Sequence, residues 1–220
     1  MFWEVFAGCA ELTGAFADED VQCAPPIDAA DNPEYNLLNA MFLALVVGLL
    51  GAHLVDLLHL TPPRSSFSSI LNGSAQARLR TTEMPQGIEG LTLKQAEEGR
   101  IGNALADVAA VLIKAQHAAG NLVQLELPAR SLMILYEPIK NALASTGAVG
   151  YQRDACVDGA PWRRPLILYT PTRSVGLRLA AKCPGCKEHI RLRGKAPDGT
   201  DWTKVACPYW PAWARSVARE

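Results

Sequence analysis

Three groups of residues in this chain have the types and spacing to do chemistry. The first is Phe6-Ala-Gly8-Cys-Ala-Glu-Leu12, where an apolar stretch runs into a small-residue turn and then a helix, with Asp28 ending the next apolar stretch. Such a turn lets backbone approach a nucleotide-like ligand at the carboxyl edge of a parallel sheet, and an acidic strand end takes both hydroxyls of a ribose. The competing reading is a common glycine turn with a capping aspartate. The second group is Leu58-His-Leu-Thr-Pro62-Pro-Arg64-Ser-Ser-Phe-Ser68, a strand that meets a double proline and a polar loop. The fork of Arg64 suits a phosphate or a carboxylate, although a surface arginine more commonly pairs with a local acid or water. The third is Cys183-Pro-Gly-Cys186-Lys-Glu-His189, with Cys207 downstream. Two thiolates on a tight turn can share one tetrahedral zinc, with His189 and Cys207 completing four ligands. The alternative is a pair of reduced thiols in a loop.

Elements that end at these residues must hold them together. Apolar patterning predicts strands at 2–6, 21–27, 53–60, 122–127, 151–157 and 165–170, with a further strand at 175–179. Helices are expected at 11–16, 33–50, 93–119 (stopped by Gly120) and 129–143 (broken at Pro138), and an amphipathic stretch at 210–218. Residues 65–93 read as a long loop with one helical turn. Strands alternating with helices predict an α/β fold, a mostly parallel sheet with helices on both faces. Residues 1–150 would form the core, and 151–220 the last strands plus a small basic extension containing Cys and Trp.

Apolar residues make up 49% of the 220 and charged residues 20%, which favours a packed core over disorder. Charge is divided unevenly. Residues 1–150 hold 8 basic against 16 acidic side chains, and residues 151–220 hold 13 against 6. The basic part suits a polyanion or the acidic part of the same chain. Six cysteines without disulfide-scaffold spacing point to a reducing, intracellular compartment. The opening Met-Phe-Trp-Glu lacks the positive region of a signal peptide. The apolar run 37–58 is interrupted by Asn39, His53, Asp56 and two glycines, so a buried helix and a strand are expected and no membrane span.

In their order, these segments resemble the cytosine-5 DNA methyltransferases, in particular a compact branch of phage-like and retroelement-associated proteins. Phe6-Ala-Gly8 resembles the cofactor motif and Pro26-Ile-Asp28 the ribose-binding strand end. Pro62-Pro-Arg64-Ser-Ser-Phe-Ser68 resembles the nucleophile loop Pro-Pro-Cys-x-x-Phe-Ser, and Glu126-Leu-Pro128 resembles Glu-Asn-Pro. Arg100-Ile-Gly-Asn-Ala-Leu105 is similar to the branch's Gly-Asn helix start, and Cys156-Val-Asp-Gly-Ala-Pro-Trp-Arg-Arg-Pro165 to its late Cys and Trp-Arg-Lys-Pro segment. The similarity spans nearly the whole chain.

The resemblance implies the S-adenosylmethionine-dependent methyltransferase fold, with the cofactor lined by Phe6, Gly8, Leu12, Asp28 and Pro62. In the family a cysteine attacks carbon 6 of a flipped cytosine, a glutamate (here Glu126) interacts at N3, and carbon 5 takes the methyl group. Here Arg64 stands at the cysteine position and Leu127 at the Asn position. A guanidinium stays protonated and is a poor nucleophile. Ser65, Ser66 and Ser68 lack a matched base, and Cys9 lies on the cofactor-side loop. Two losses in one site imply a degenerate protein without catalysis that acts as a binding or assembly subunit. The alternatives are an active S-adenosylmethionine-dependent DNA (cytosine) methyltransferase, or a methyltransferase with another acceptor. Expected partners are proteins, and DNA gripped through Trp162, Arg163, Arg164, Arg191, Arg193, Lys195, Trp202, Lys204 and Trp210, unless those tryptophans pack inside.

Overall fold

The computed structural model describes residues 1–68, 78–185, 188–206 and 208–219. Strand β1 (Phe2–Val5) leads through a tight loop into helix α1 (Glu11–Asp18). Helix α2 (Ala40–Gly51) precedes β2 (Leu57–Leu60), and the long α3 (Leu93–Ala118) precedes β3 (Leu122–Pro128). Then come α4 (Glu137–Thr146), β4 (Val149–Asp154), β5 (Pro165–Thr170), α5 (Arg173–Leu179), the single turn α6 (Trp202–Val205) and α7 (Pro211–Ala218).

The five strands form one sheet in the order β1-β2-β3-β5-β4. β1, β2 and β3 pair in parallel, whereas β5 runs antiparallel to both β3 and β4. The sheet is therefore mixed. β4 and β5 are joined by residues 155–164 without a crossover helix, a connection that suits an antiparallel pair. Alternation along the strands sorts side chains onto two faces. Trp3, Val5, Leu58, Leu60, Val123, Leu125 and Leu127 join α2, α3 and α4 in the larger core. Phe2 and Leu168 face the other way, against α1, α5 and α7.

Several sequence expectations are corrected. Residues 21–27 make only isolated parallel bridges to β1, because Pro25 and Pro26 have no N–H to extend a ladder. The expected helix 33–50 is split: Pro33–Tyr35 is a single turn, and α2 starts afresh where the Asn39 side chain accepts hydrogen bonds from the Met41 and Phe42 N–H groups. β2 begins later than position 53, since His53 adopts a left-handed φ of 59°. Pro138 lies in the first turn of α4, where a missing N–H costs nothing, instead of kinking a longer helix. Residues 175–179 are helical, within α5. Of the loop 65–93, Ser65–Phe67 forms the one turn, and residues 69–77 lie outside the described residues.

The border drawn at 150 falls inside β4, and α7 returns to pack on α1, with an Arg219–Glu19 ion pair at 2.7 Å. Among the described residues no helix is long and apolar enough to cross a membrane.

Candidate functional site

The chain leaves β1 on one side, along the stretch that ends at Asp28, and comes back on the other side as β2. This reversal of direction is a topological switch point, and in open α/β sheets it opens a crevice at the carboxyl ends of the strands. The loop from β1 to α1 lies there, and it is strained. Phe6 and Ala10, neither a glycine, have φ of 61° and 53°, and Gly8 between them has 55°. Left-handed backbone costs a non-glycine residue roughly 1–2 kcal/mol.

Asp28 fastens this loop. Its Oδ2 accepts from the Gly8 N–H at 2.8 Å and its Oδ1 from the Ala30 N–H at 2.8 Å. Each oxygen keeps a further lone pair toward solvent. Space above Gly8 is open, with no atom within 4 Å of where a Cβ would stand. Phe6 is half-buried and Pro62 buried beside it in sequence order at the ends of β1 and β2. Leu12 is fully buried in the core cluster between the sheet and α7.

The loop after β2 is held by a residue that sequence reasoning missed. Arg80 is 1% exposed, and its Nε donates to the Ser66 carbonyl at 3.0 Å. Its Nη1 donates to the Pro85 carbonyl and Asn103 Oδ1 at 2.7 and 2.6 Å, and its Nη2 to Ser66 Oγ and the Gly99 carbonyl at 3.2 and 2.9 Å. The guanidinium lies over the Phe67 ring, 3.7 Å from its centre. Burial pulls its pKa down to about 10. Gly102 completes the cradle, since a Cβ there would stand 2.1 Å from Ser66 Oγ. The Arg100–Leu105 segment is thus not a helix start. It lies in the interior of α3, where Gly102 and Asn103 receive the loop. Nothing in the local sequence of Arg80 announces this role.

Arg64 opens the Ser65–Phe67 turn, its carbonyl accepting from the Phe67 N–H at 3.0 Å. Its charge, after that of Arg164, bears on Glu126 at the end of β3. Glu126 is 1% exposed, and neither carboxylate oxygen has a hydrogen-bond partner among the described residues. Burial pushes its pKa up to about 7, against the opposite pull of Arg164, Arg64 and the Tyr209 hydroxyl. A crevice beside it is lined by Tyr151, Arg153, Leu166, Leu168, Leu179 and Trp213.

Glu126 ends a buried polar row that strand alternation places on the α7 face. Register aligns Glu4 with His59 and His59 with Gln124. Glu4 Oε2 accepts from both the N–H and the hydroxyl of Thr13, at 2.8 and 2.7 Å, and its Oε1 is buried without a partner. Burial raises the Glu4 pKa to about 7. His59 Nδ1 lies 3.2 Å from Gln124 Oε1 and so carries the proton; its Nε2, 3.2 Å from the Tyr209 hydroxyl, accepts. Burial lowers the His59 pKa to about 4. Thr61 Oγ1 lies 2.6 Å from the Tyr209 hydroxyl, whose pKa rises well above its ordinary value through burial and then the Glu126 charge. His59 and Gln124 were visible in the sequence as polar positions inside apolar strands. Tyr209 was not, because it arrives from the far end of the chain.

Of the tryptophans of the basic extension, Trp162 is buried, and Trp202 and Trp210 are partly buried against it. Trp162 is 7% exposed and meets Trp202 and Trp210 edge-on, at 6.4 and 5.7 Å between ring centres. Arg163 pairs with the buried Asp154 at 2.8 Å and Lys195 with Asp201 at 3.3 Å, while Arg164 donates to the carbonyls of Ala206 and Pro208. Arg191, Arg193 and Lys204 are exposed.

Of the expected zinc ligands, Cys186 and Cys207 lie outside the described residues. Cys183 Sγ comes within 3.7 Å of His189 Nε2, and Cys156, expected only as part of the late Cys segment, joins them, all three donor atoms lying within 4.8 Å of one another. No model of a known protein family matches this chain, and no curated protein sequence matches it.

Proposed function

We propose that this chain is a degenerate cytosine-5 DNA methyltransferase-like protein that keeps the S-adenosylmethionine edge, lacks methyl transfer, and serves as a binding or assembly subunit. The observation that carries this reading is Arg64 at the head of the Ser65–Phe67 turn, where the family has its cysteine, with Glu126 buried at the end of β3. A cation whose field reaches the buried carboxyl stands where attack on a base would begin. The loop that would carry the nucleophile is nonetheless held firmly by Arg80 and Gly102. A kept scaffold with a changed reactive side chain fits binding without turnover.

The cofactor edge is supported by separate features. Asp28 presents lone pairs at the switch point, space over Gly8 is open, and strain is stored at Phe6 and Ala10. Strain of this kind persists where function over-determines the backbone. An α/β sheet with β5 inserted antiparallel beside parallel β1, β2 and β3 agrees with the methyltransferase resemblance at the level of architecture. When bound, S-adenosylmethionine would supply an electrophilic methyl group; Asp28 would hold its ribose and the Gly8 turn would admit its backbone-facing side.

The test is incubation with a 5-fluorocytosine oligonucleotide and S-adenosylmethionine. Neither a covalent adduct nor methyl transfer is expected, and Arg64→Cys alone should remain inactive because Leu127 also departs from the family's pocket. An adduct with the wild-type chain, or robust cytosine methylation by Arg64→Cys, would overturn the reading.

A further inference from the structure

We propose that Cys156, Cys183 and His189 bind one zinc ion that ties the C-terminal segment to the end of β4. The three side chains come from three separate stretches: the turn Ala155–Asp158 that follows β4, the strand-like residues after α5, and the irregular segment beyond. Around tetrahedral zinc a thiolate and an imidazole stand roughly 3.5 Å apart and two thiolates roughly 3.8 Å, given Zn–S near 2.3 Å and Zn–N near 2.0 Å. The observed 3.7 Å between Cys183 Sγ and His189 Nε2 is close to that spacing, and Cys156 Sγ lies within 4.8 Å of both.

The surroundings hold the ligands in place. Asp154, fully buried, accepts from the Cys183 N–H at 2.9 Å, from Arg163 Nε at 2.8 Å and from Gln152 Nε2 at 2.8 Å. Arg153 grips Asp158 with two hydrogen bonds, at 2.9 and 2.6 Å, and donates to the Leu179 carbonyl at 2.7 Å, so both flanks of Cys156 and the approach to Cys183 are fixed.

The segment also needs such a tie. Between α5 and α7 the described chain has one helical turn, and its small core is Ala155, Ala160, Trp162 and Ala206. Segments with so little apolar burial draw stability from metals or cross-links. The ligand set differs from a site built on the Cys183-x-x-Cys186 turn by its dependence on Cys156, and it leaves one tetrahedral position for a fourth donor.

The experiment uses the full chain, reduced, with zinc and cobalt as probes. One zinc per chain is expected, and cobalt in its place should show thiolate charge-transfer absorption. Cys156→Ser and His189→Ala should each weaken zinc binding at least tenfold. Because a variant can misfold, cysteine alkylation mapped by mass spectrometry on the wild-type chain gives a second reading. Zinc should slow modification of Cys156 and Cys183 at least tenfold, and a chelator should restore it. Absence of stoichiometric zinc, Cys156→Ser binding it as tightly as wild type, or Cys156 alkylation indifferent to zinc would each overturn the proposal.

Discussion

The two faces of the sheet differ in how they hold buried charge-bearing side chains. On the α3 face the strands are apolar, and the buried cation there, Arg80, makes five hydrogen bonds and stacks on Phe67. On the α7 face the strands carry Glu4, His59, Gln124 and Glu126, and the two glutamates leave three carboxylate oxygens without partners. A saturated buried charge holds a shape, and loses stability when removed. An unsaturated one costs stability and persists for another reason, commonly a ligand. The contrast separates scaffold from site without reference to any motif.

The sharpest way to break the comparison is to remove one residue from each face. Arg80→Leu strands five acceptor atoms, three of them in fully buried bonds, and should cost about 3–5 kcal/mol in chemical denaturation. A loss below about 1 kcal/mol would show that the loop after β2 is not held as described.

Glu126→Gln should act with the opposite sign, and its effect should depend on pH. The ordinary pKa of 4.5 rises to about 7 in the folded protein, so the folded state holds this proton more tightly. Stability is full below pH 4.5 and falls as pH rises through 7. Gln does not titrate, so the variant should gain up to about 3 kcal/mol on wild type at pH 8 and little at pH 4.5. Glu4 adds to the same decline, while His59, lowered from 6.5 to about 4, costs stability as pH falls through 4. Thermal midpoints of both proteins across this range provide the check. A constant difference between them would mean that Glu126 is not a buried, unpaired acid.

Two glycines sharpen the distinction further. Gly102→Ala forces Ser66 aside and should cost about 1–3 kcal/mol, comparable to overpacking elsewhere in cores. Gly8→Ala meets no atom and should cost about 1 kcal/mol through its left-handed backbone alone. Equal losses at the two positions would argue that Ser66 yields freely and that the loop is soft.

Much of the architecture was legible because periodicity carries it. The long α3, with its Thr92–Gln95 capping box, and the strand Pro165–Thr170 stand where the sequence placed them. Elements built on proline and asparagine were less legible. Pro25 and Pro26 break a strand that apolar composition favoured, Asn39 restarts a helix that had looked continuous, and Pro138 opens one instead of bending it. At the candidate site, Asp28, singled out as a strand-end acid, accepts from the Gly8 N–H of the turn singled out beside it. Leu12 lies in the core cluster on the α7 face. Arg80, Tyr209 and the approach of Cys156 to Cys183 depend on contacts between distant segments, which spacing along the chain does not encode.

The most direct test of the account is titration calorimetry of S-adenosylmethionine into the wild-type chain and into Asp28→Ala. The account predicts micromolar binding to wild type and a loss of about 100-fold in Asp28→Ala, as expected when a carboxylate gripping two hydroxyls is removed. No detectable heat with a demonstrably folded wild-type chain, or equal binding by Asp28→Ala, would contradict it.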